Sequence, residues 1–334
     1  MTRIFESPVE GQDVWHGPAI SKESDWIYHL GDADIKELRQ ALSQAVGSGK
    51  PMFDWVQSDF PLSNLKQKIE QWMEELNHGR GFKLLKGFPV MAHTKDECAK
   101  VYWGLGLYMG TTVSQNADGD LLTDIRDTGI APEPGVRLYK TRAEQDFHID
   151  GSDVVGLFCL RPGKSGGISQ IVSSSAIYNE VMRREPELIP VLYDRFPFDN
   201  HGQEKPGENP WFEMPICRME EGRLRTFFIP WYIRGSQRFE KAPRLTSQQE
   251  RCVELYESIA NDPAFHLNID FEPGDMQFLK NTAILHKRTE YEDWEDEDAK
   301  RHLLRLWLTA YNFSGDLTLR QGVSPKSAQQ AVKQ

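Results

Sequence analysis

Two histidines and one aspartate in this 334-residue chain have the types and spacing of a metal-binding triad. His148 and Asp150 are separated by one residue, so on a β-strand an imidazole nitrogen and a carboxylate oxygen point to the same face and can bind one ion. His286 follows the apolar run TAIL much later in the chain. Two histidines and one carboxylate leave three positions of an octahedral metal open, which is the ligand set of non-haem Fe(II) oxygenases. The open positions would admit a bidentate co-substrate and dioxygen.

Two arginines follow in the segment RHLLRLWL, which is predicted to be a strand. Alternation puts one set of side chains on the same face of this strand: Arg301, Leu303, Arg305 and Trp307. An arginine on an otherwise apolar strand needs an anionic partner, because an unpaired buried charge is very costly. The planar guanidinium matches a carboxylate held by two parallel hydrogen bonds. We therefore expect a carboxylate to bind at Arg301.

Each of these features has an ordinary structural interpretation when it is taken alone. An H-x-D triplet is commonly a hydrogen-bonding pair, His286 a histidine at a strand end, and the two arginines part of an exposed edge strand. The order of the features is what favours a metal site: a ligand pair, a distant histidine, and an arginine one strand later.

Helices come first among the elements that must position these side chains. Apolar residues at helical spacing predict helices that end at Gly47 and at Gly79, and another over Asp96–Tyr108. The run FKLLKGFPV between the second and third helix predicts a buried strand.

From Thr111 onward the pattern is mostly that of strands, with two further helices. One helix is limited by Pro186, and the other begins at an S-x-x-E capping box formed by Ser247 and Glu250. Helices followed by strands predict an α+β domain. Residues 190–245 lack a sustained period, which predicts an irregular excursion of the kind that covers substrate sites.

The domain organisation is predicted to be simple, because no internal repeat or long linker is present. We expect a single domain over residues 1–314, with a helical part over about 1–110 and a strand-rich core over about 111–314. A polar, Gln-rich tail over 315–334 is expected to be mobile or at most helical.

Composition excludes several classes of protein. With 39% hydrophobic and 27% charged residues the chain is an ordinary globular protein, and its net charge of −11 argues against nucleic acid as a partner. No apolar run is long enough to span a membrane, and the N-terminus lacks the apolar region of a secretory signal. The four cysteines are scattered without a CxxC pair, which predicts buried thiols and a cytoplasmic location. Nothing in the sequence points to an oligomeric state.

From about Phe82 to Asn312 the sequence resembles the TauD/TfdA family, the taurine dioxygenase/clavaminate synthase-like Fe(II)- and 2-oxoglutarate-dependent oxygenases. Five stretches carry the resemblance: LLKGFPV, YWGLGLYMGTTVSQN, DFHIDGSDVVGLFCLRPGKSGG, GDMQFLKNTAILHKRT and RHLLRLWL. The resemblance implies a double-stranded β-helix core, the jelly-roll or cupin-like fold, flanked by helices. It also implies a small-molecule substrate whose C–H bond is oxidised by dioxygen, while 2-oxoglutarate is converted to succinate and carbon dioxide.

The resemblance assigns roles to individual residues. His148, Asp150 and His286 match the iron ligands, and Arg301 matches the arginine that pairs with the distal carboxylate of 2-oxoglutarate. Ser169 stands where the family has a threonine that helps to hold the same carboxylate. Arg305 matches a second arginine, which in some relatives reaches an acidic group of the substrate and here favours an amino acid or another small carboxylate.

Candidate substrate residues are placed by the resemblance alone. Ser114, Gln115 and Asn116 fall on a strand expected to line the site, although polar residues of an ordinary turn would give the same pattern. Trp231, Tyr232 and Arg234 lie in the excursion, where they would form part of a lid or pack in the core.

Two other functions remain open for the same residues. A metal-dependent hydrolase would use zinc in the triad but would have no need of Arg301. A non-catalytic jelly-roll that binds a small molecule is disfavoured because all three ligands are intact.

Overall fold

The computed structural model describes residues 7–116, 118–131, 136–202, 204, 207–311 and 313. The predicted tail over 315–334 lies outside the described residues. Seven α-helices lie within the described ranges: α1 (Gly17–Ile20), α2 (Asp32–Gly47), α3 (Asn64–His78), α4 (Lys95–Met109), α5 (Ser174–Arg184), α6 (Pro230–Ser236) and α7 (Ser247–Ala260).

The helix ends agree with the sequence pattern except at the start of α7. The predicted capping box of Ser247 and Glu250 is wrong by one residue. Thr246 accepts a hydrogen bond from the amide of Gln249 at 3.1 Å, and the Gln249 side chain accepts one from the Thr246 amide at 3.1 Å. Thr246 has the extended backbone that a cap requires, whereas Ser247 is already helical.

Strands make up most of the second half, as predicted. Seventeen are found in the described residues: β1 (Ile27–His29), β2 (Phe82–Lys86), β3 (Gly110–Thr112), β4 (Leu122–Ile125), β5 (Gln145–His148), β6 (Val154–Arg161), β7 (Ser165–Gly166), β8 (Ser169–Ser173), β9 (Phe196–Asp199), β10 (Trp211–Met214), β11 (Cys217–Glu220), β12 (Arg223–Thr226), β13 (Leu267–Ile269), β14 (Met276–Lys280), β15 (Ile284–Arg288), β16 (Tyr291–Glu292) and β17 (His302–Ala310).

Two antiparallel sheets form the core. The larger sheet has the order β1-β2-β14-β6-β17-β3, with β4 also paired to β17, and the smaller one has the order β13-β8-β15-β5. Only the β1–β2 pair of the larger sheet is parallel among these described strands. The crossovers between sequence-distant strands are those of the jelly-roll, so the predicted α+β fold class is confirmed.

Three apolar clusters show how the layers are arranged. Helices α2, α3 and α4 pack on the outer face of the larger sheet, where they cover side chains such as Phe158 and Leu306. A second cluster lies between the two sheets and joins Leu303 and Cys159 to Ile171 and Ile284. The third cluster packs α5 and α7 on the outer face of the smaller sheet. Successive side chains of β17 therefore point in opposite directions, one set toward the helices and the other toward the barrel interior.

The segment over residues 190–245 differs from the expected irregular excursion. Its described residues form two β-hairpins, β9–β10 and β11–β12, followed by helix α6. Each strand has four residues, so Pro and Gly interrupt the pattern before a period of two can be recognised. Among the described residues no helix is long and apolar enough to cross a membrane.

Candidate active site

The triad residues meet at the open edge of the smaller sheet. The antiparallel register puts His286 of β15 directly opposite His148, the last residue of β5. The two imidazole centroids are 4.3 Å apart. Asp150 lies just beyond the end of β5, and its two carboxylate oxygens are 3.7 Å from Nε2 of His148 and 3.5 Å from Nε2 of His286. All three residues are buried, and one ligand atom from each lies within 4.8 Å of the others.

The protonation states of these residues suit a divalent metal. Nδ1 of His148 donates to the carbonyl oxygen of Asp146 at 2.7 Å, which leaves the lone pair on Nε2. Burial lowers the pKa of His148 to about 3, so the ring is neutral. Burial opposes ionisation of Asp150, but Arg305 and His286 outweigh it and hold the pKa of this carboxyl well below its usual range. A neutral imidazole on His148 and an anionic carboxylate on Asp150 are donors of the kind that an Fe(II) ion requires.

Asp150 is held by residues of other strands rather than by β5. Its amide donates to the side-chain oxygen of Asn281 at 2.8 Å, and the Asn281 side-chain amide donates to the carbonyl oxygens of Asp150 and Ser152. On the carboxylate, Oδ2 accepts from Nε1 of Trp307 at 3.0 Å and from Nη1 of Arg305 at 3.4 Å. The expectation that Asp150 continues the strand is therefore wrong, although it does converge with the two histidines.

A narrow cavity leads from the triad to Arg301 on the larger sheet. Its lining includes both triad histidines, Ser169 and Arg301. Arg301 is buried, and its Nη1 has no hydrogen-bond partner among the described residues. The guanidinium carbon lies 4.9 Å from the centroid of the Tyr291 ring. Gln277 accepts a hydrogen bond from the Ser169 hydroxyl at 3.0 Å, while its buried Nε2 is also without a partner in the described residues. The free donor of Arg301 is therefore available to an anionic ligand in this cavity.

A larger cavity of about 530 Å³ opens on the other side of the triad. The two cavities share four lining residues: Tyr139, Gln145, His148 and Arg305. Trp231, Tyr232 and Arg234 line the larger cavity, and Arg234 is also paired with Glu257. The segment over residues 190–245 thus supplies much of the wall of this chamber, together with Trp307 and the residues that precede β5.

Arg305 lies between the two cavities and is engaged by protein groups. Its Nε donates to the side-chain oxygen of Gln115 at 2.7 Å, in addition to the contact with Asp150. Gln115 is itself buried and donates to the main-chain carbonyl of Arg305 at 2.8 Å. Gln115 therefore acts on the site through Arg305, and it is absent from the lining of both cavities.

Ser114 and Asn116 are placed in a turn rather than against a cavity. The Ser114 hydroxyl donates to the carbonyl oxygen of Asn116 at 2.7 Å, and the Asn116 side chain donates to Asp120 at 2.7 Å. Neither residue belongs to the described lining of the two cavities. This placement matches the ordinary interpretation of the polar run. The ring of His302 bonds to Asp124 at 2.7 Å, and His302 belongs to the described lining of neither cavity.

Some residues of the site had no signal in the sequence. Asn281 lies at a turn before β15, and nothing in the spacing relates it to the distant Asp150. Arg288 donates to the carbonyl oxygen of Thr141 at 2.9 Å and so ties the chain before β5 to β15. For Trp307 a partial signal exists, because the alternation of β17 puts it on the face of Arg301 and Arg305.

The chain matches a known family over most of its length. The model of the family described as Taurine catabolism dioxygenase TauD, TfdA family covers residues 34–307. FR-33289 synthase of Streptomyces rubellomurinus is 32% identical over 316 residues, which are 93% of each chain. Taurine hydroxylase-like protein SAT17 of Stachybotrys chartarum is 29% identical over 308 residues, 88% of this chain and 77% of that protein.

Solved structures share the fold at low sequence identity. An asparagine oxygenase in complex with Fe(II), 2S,3S-3-hydroxyasparagine and succinate superposes with a TM-score of 0.67 at 13% identity, covering 85% of this chain and 93% of that one. The non-heme iron oxygenase OrfP in complex with Fe and alpha-ketoglutaric acid gives a TM-score of 0.64 at 14% identity with the same coverage.

The extent of the family match confirms the resemblance, and with it the enzyme class and the co-substrates that the resemblance implied. The chain belongs to the taurine catabolism dioxygenase TauD, TfdA family, and it is a non-haem iron, 2-oxoglutarate-dependent dioxygenase.

Proposed function

We propose that this enzyme uses His148, Asp150 and His286 as its iron ligands and oxidises an unactivated C–H bond of a small, carboxylate-bearing molecule. The outcome is hydroxylation, desaturation or cyclisation, with release of succinate and carbon dioxide. One observation carries the proposal: three ligand atoms lie within 4.8 Å of one another beside a buried arginine that has an unused donor. We also infer a cytoplasmic location, in line with four cysteines that are buried and unpaired.

The metal supplies the chemistry that the side chains lack: iron with 2-oxoglutarate and dioxygen can remove a hydrogen atom from an unactivated carbon. His148 would offer the lone pair of a neutral imidazole without a prior loss of a proton, and His286 would supply the second imidazole. Asp150 neutralises part of the positive charge of the ion. Trp307 and Arg305 bind one carboxylate oxygen of Asp150 and leave the other directed at His148.

Arg301 would bind the far carboxylate of 2-oxoglutarate, assisted by Ser169. The guanidinium is fully enclosed, so a charge-assisted pair there is stronger than the same pair in water. The largely apolar lining of the larger cavity would orient the substrate beside the metal.

The test is oxygen uptake and succinate formation by protein purified without oxygen and supplied with Fe(II) and 2-oxoglutarate. A panel of amino acids and small organic acids is screened for compounds that stimulate both. His148→Ala should abolish succinate formation, while His302→Gln, which alters a buried histidine bound to Asp124, should retain it. A zinc hydrolase in the same triad would consume no oxygen, and that result would refute the proposal.

A further inference from the structure

Four arginines line the larger cavity, and one of them differs from the rest. Arg234 is paired with Glu257, Arg238 with Asp199 at 3.0 Å, and Arg305 with Gln115 and Asp150. Arg137 is half-buried, and its guanidinium makes no hydrogen bond or ion pair with any residue that the structure describes. A partly desolvated guanidinium with five unused donors is costly unless a ligand supplies the acceptor.

The backbone around Arg137 is anchored, so its position is defined. Arg137 directly precedes a 3₁₀ turn over Leu138–Lys140, and the amide of Lys140 donates to the Arg137 carbonyl at 3.0 Å. Arg288 bonds to the carbonyl oxygens of Leu138 and Thr141 at 3.4 and 2.9 Å. Arg288 belongs to β15, the strand of His286, so these hydrogen bonds connect the backbone next to Arg137 with a strand of the triad.

Arg137 and Arg305 line the same cavity, so an anion that enters it meets two guanidinium groups. Because Arg305 is already engaged by Gln115 and Asp150, an anion entering the cavity finds its free donors on Arg137.

The rest of the cavity wall indicates what is attached to that anion. Apolar and aromatic side chains form much of the rest of the lining: Phe212, Met214, Phe227, Ile229 and Trp231. A ligand that fits this chamber therefore carries an apolar body as well as an acidic head group.

We propose that Arg137 is the specificity-determining residue that binds the acidic head group of the substrate. The substrate is then a small molecule with an anionic head group, which is a carboxylate, phosphoryl or sulfonyl group. Its apolar part packs against Phe227 and Ile229. This inference rests on the proposed function, because it assigns the substrate side of the same metal site. It transfers the substrate-binding role from Arg305, where the family resemblance placed it, to a residue outside the family motifs.

The test compares four probes that share one alkyl chain: hexanoate, pentylphosphonate, pentanesulfonate and the neutral hexanamide. Binding to the protein loaded with Fe(II) and 2-oxoglutarate is measured by calorimetry without oxygen. Wild type should bind at least one acid at least tenfold more tightly than the amide, and the preferred acid identifies the head group. Arg137→Gln should lose that preference, and Arg137→Lys should restore part of it, since lysine keeps the charge without the fork.

Arg142→Gln is the matched control, since Arg142 lies on the same segment but is exposed and pairs with Asp127 at 3.1 Å. The control should bind the acids as wild type does. The inference is overturned if wild type binds no acid better than the amide, or if Arg137→Gln keeps the preference. Binding of iron and of 2-oxoglutarate is measured for wild type and for every variant. If the proposed function is wrong, the wild-type protein fails to bind iron and 2-oxoglutarate, which is distinct from an unchanged acid preference in Arg137→Gln.

Discussion

Nε1 of Trp307 donates a 3.0 Å hydrogen bond to Oδ2 of Asp150, across the gap between the two sheets. Trp307 belongs to β17 of the larger sheet, whereas Asp150 follows β5 of the smaller one. The carboxylate is thus oriented by the sheet that also carries Arg301. Docking of the two sheets sets the distance between the metal ligands and the co-substrate anchor.

Trp307→Phe should weaken Fe(II) binding by about tenfold or more, because the ring is kept while the hydrogen bond that orients the carboxylate is lost. The measurement is an iron titration without oxygen. Trp103→Phe is the control, since Trp103 is buried in α4 and its Nε1 has no partner among the described residues. Equal iron affinity in the two variants would show that the Trp307 hydrogen bond does not position the ligand.

Arg301→Ala should raise the 2-oxoglutarate concentration needed for half-maximal succinate formation by about tenfold to more than a hundredfold. The reason is that a hydrogen bond to a charged group contributes about 1.5–3 kcal/mol. Ser169→Ala should have a smaller effect, because its hydroxyl also bonds to Gln277. A normal 2-oxoglutarate requirement in the arginine variant would refute its assignment.

Lys280 should make stability depend on pH. Burial lowers the pKa of this lysine to about 7, and its ammonium group bonds to Asn77 at 2.8 and 3.0 Å. The unfolded chain holds the lysine proton up to its ordinary pKa near 10.5, so it binds more protons than the folded chain above pH 7. The free energy of unfolding should therefore rise between about pH 7 and pH 10, by up to a few kcal/mol.

The pH prediction is checked by urea denaturation across that range, with Lys280→Met for comparison. The variant removes the titrating group, so its free energy of unfolding should change less with pH than that of wild type. An identical pH profile for the two proteins would mean that Lys280 titrates normally in the folded state.

Local pattern was sufficient for the parts of the site that lie on regular strands. His286 and Arg305 are placed by apolar runs and alternation, Arg301 directly precedes β17, and the register of β15 with β5 brings His286 and His148 together. The longer helices were predictable too, since their apolar stripes end at glycine or proline, whereas the short helices α1 and α6 had no such pattern.

Contacts between distant segments could not be predicted in the same way. Asn281 supports Asp150 from 131 residues away, and the Gln115 side chain reaches Arg305 from 190 residues away. Arg137 is recognised only because the other arginines of the cavity are paired, whereas it has no partner among the residues that the structure describes. Such relationships depend on how the sheets and loops pack, which no periodicity in the chain encodes.

Metal binding tests directly, and without reference to the substrate, whether His148, Asp150 and His286 hold one iron atom. Fe(II) is titrated without oxygen into wild type, His148→Ala, Asp150→Ala, His286→Ala and the control His302→Gln. We expect one iron per chain in wild type and in the control, with tight binding lost in each triad variant. Tight binding of one iron in any of the three triad variants would contradict the account.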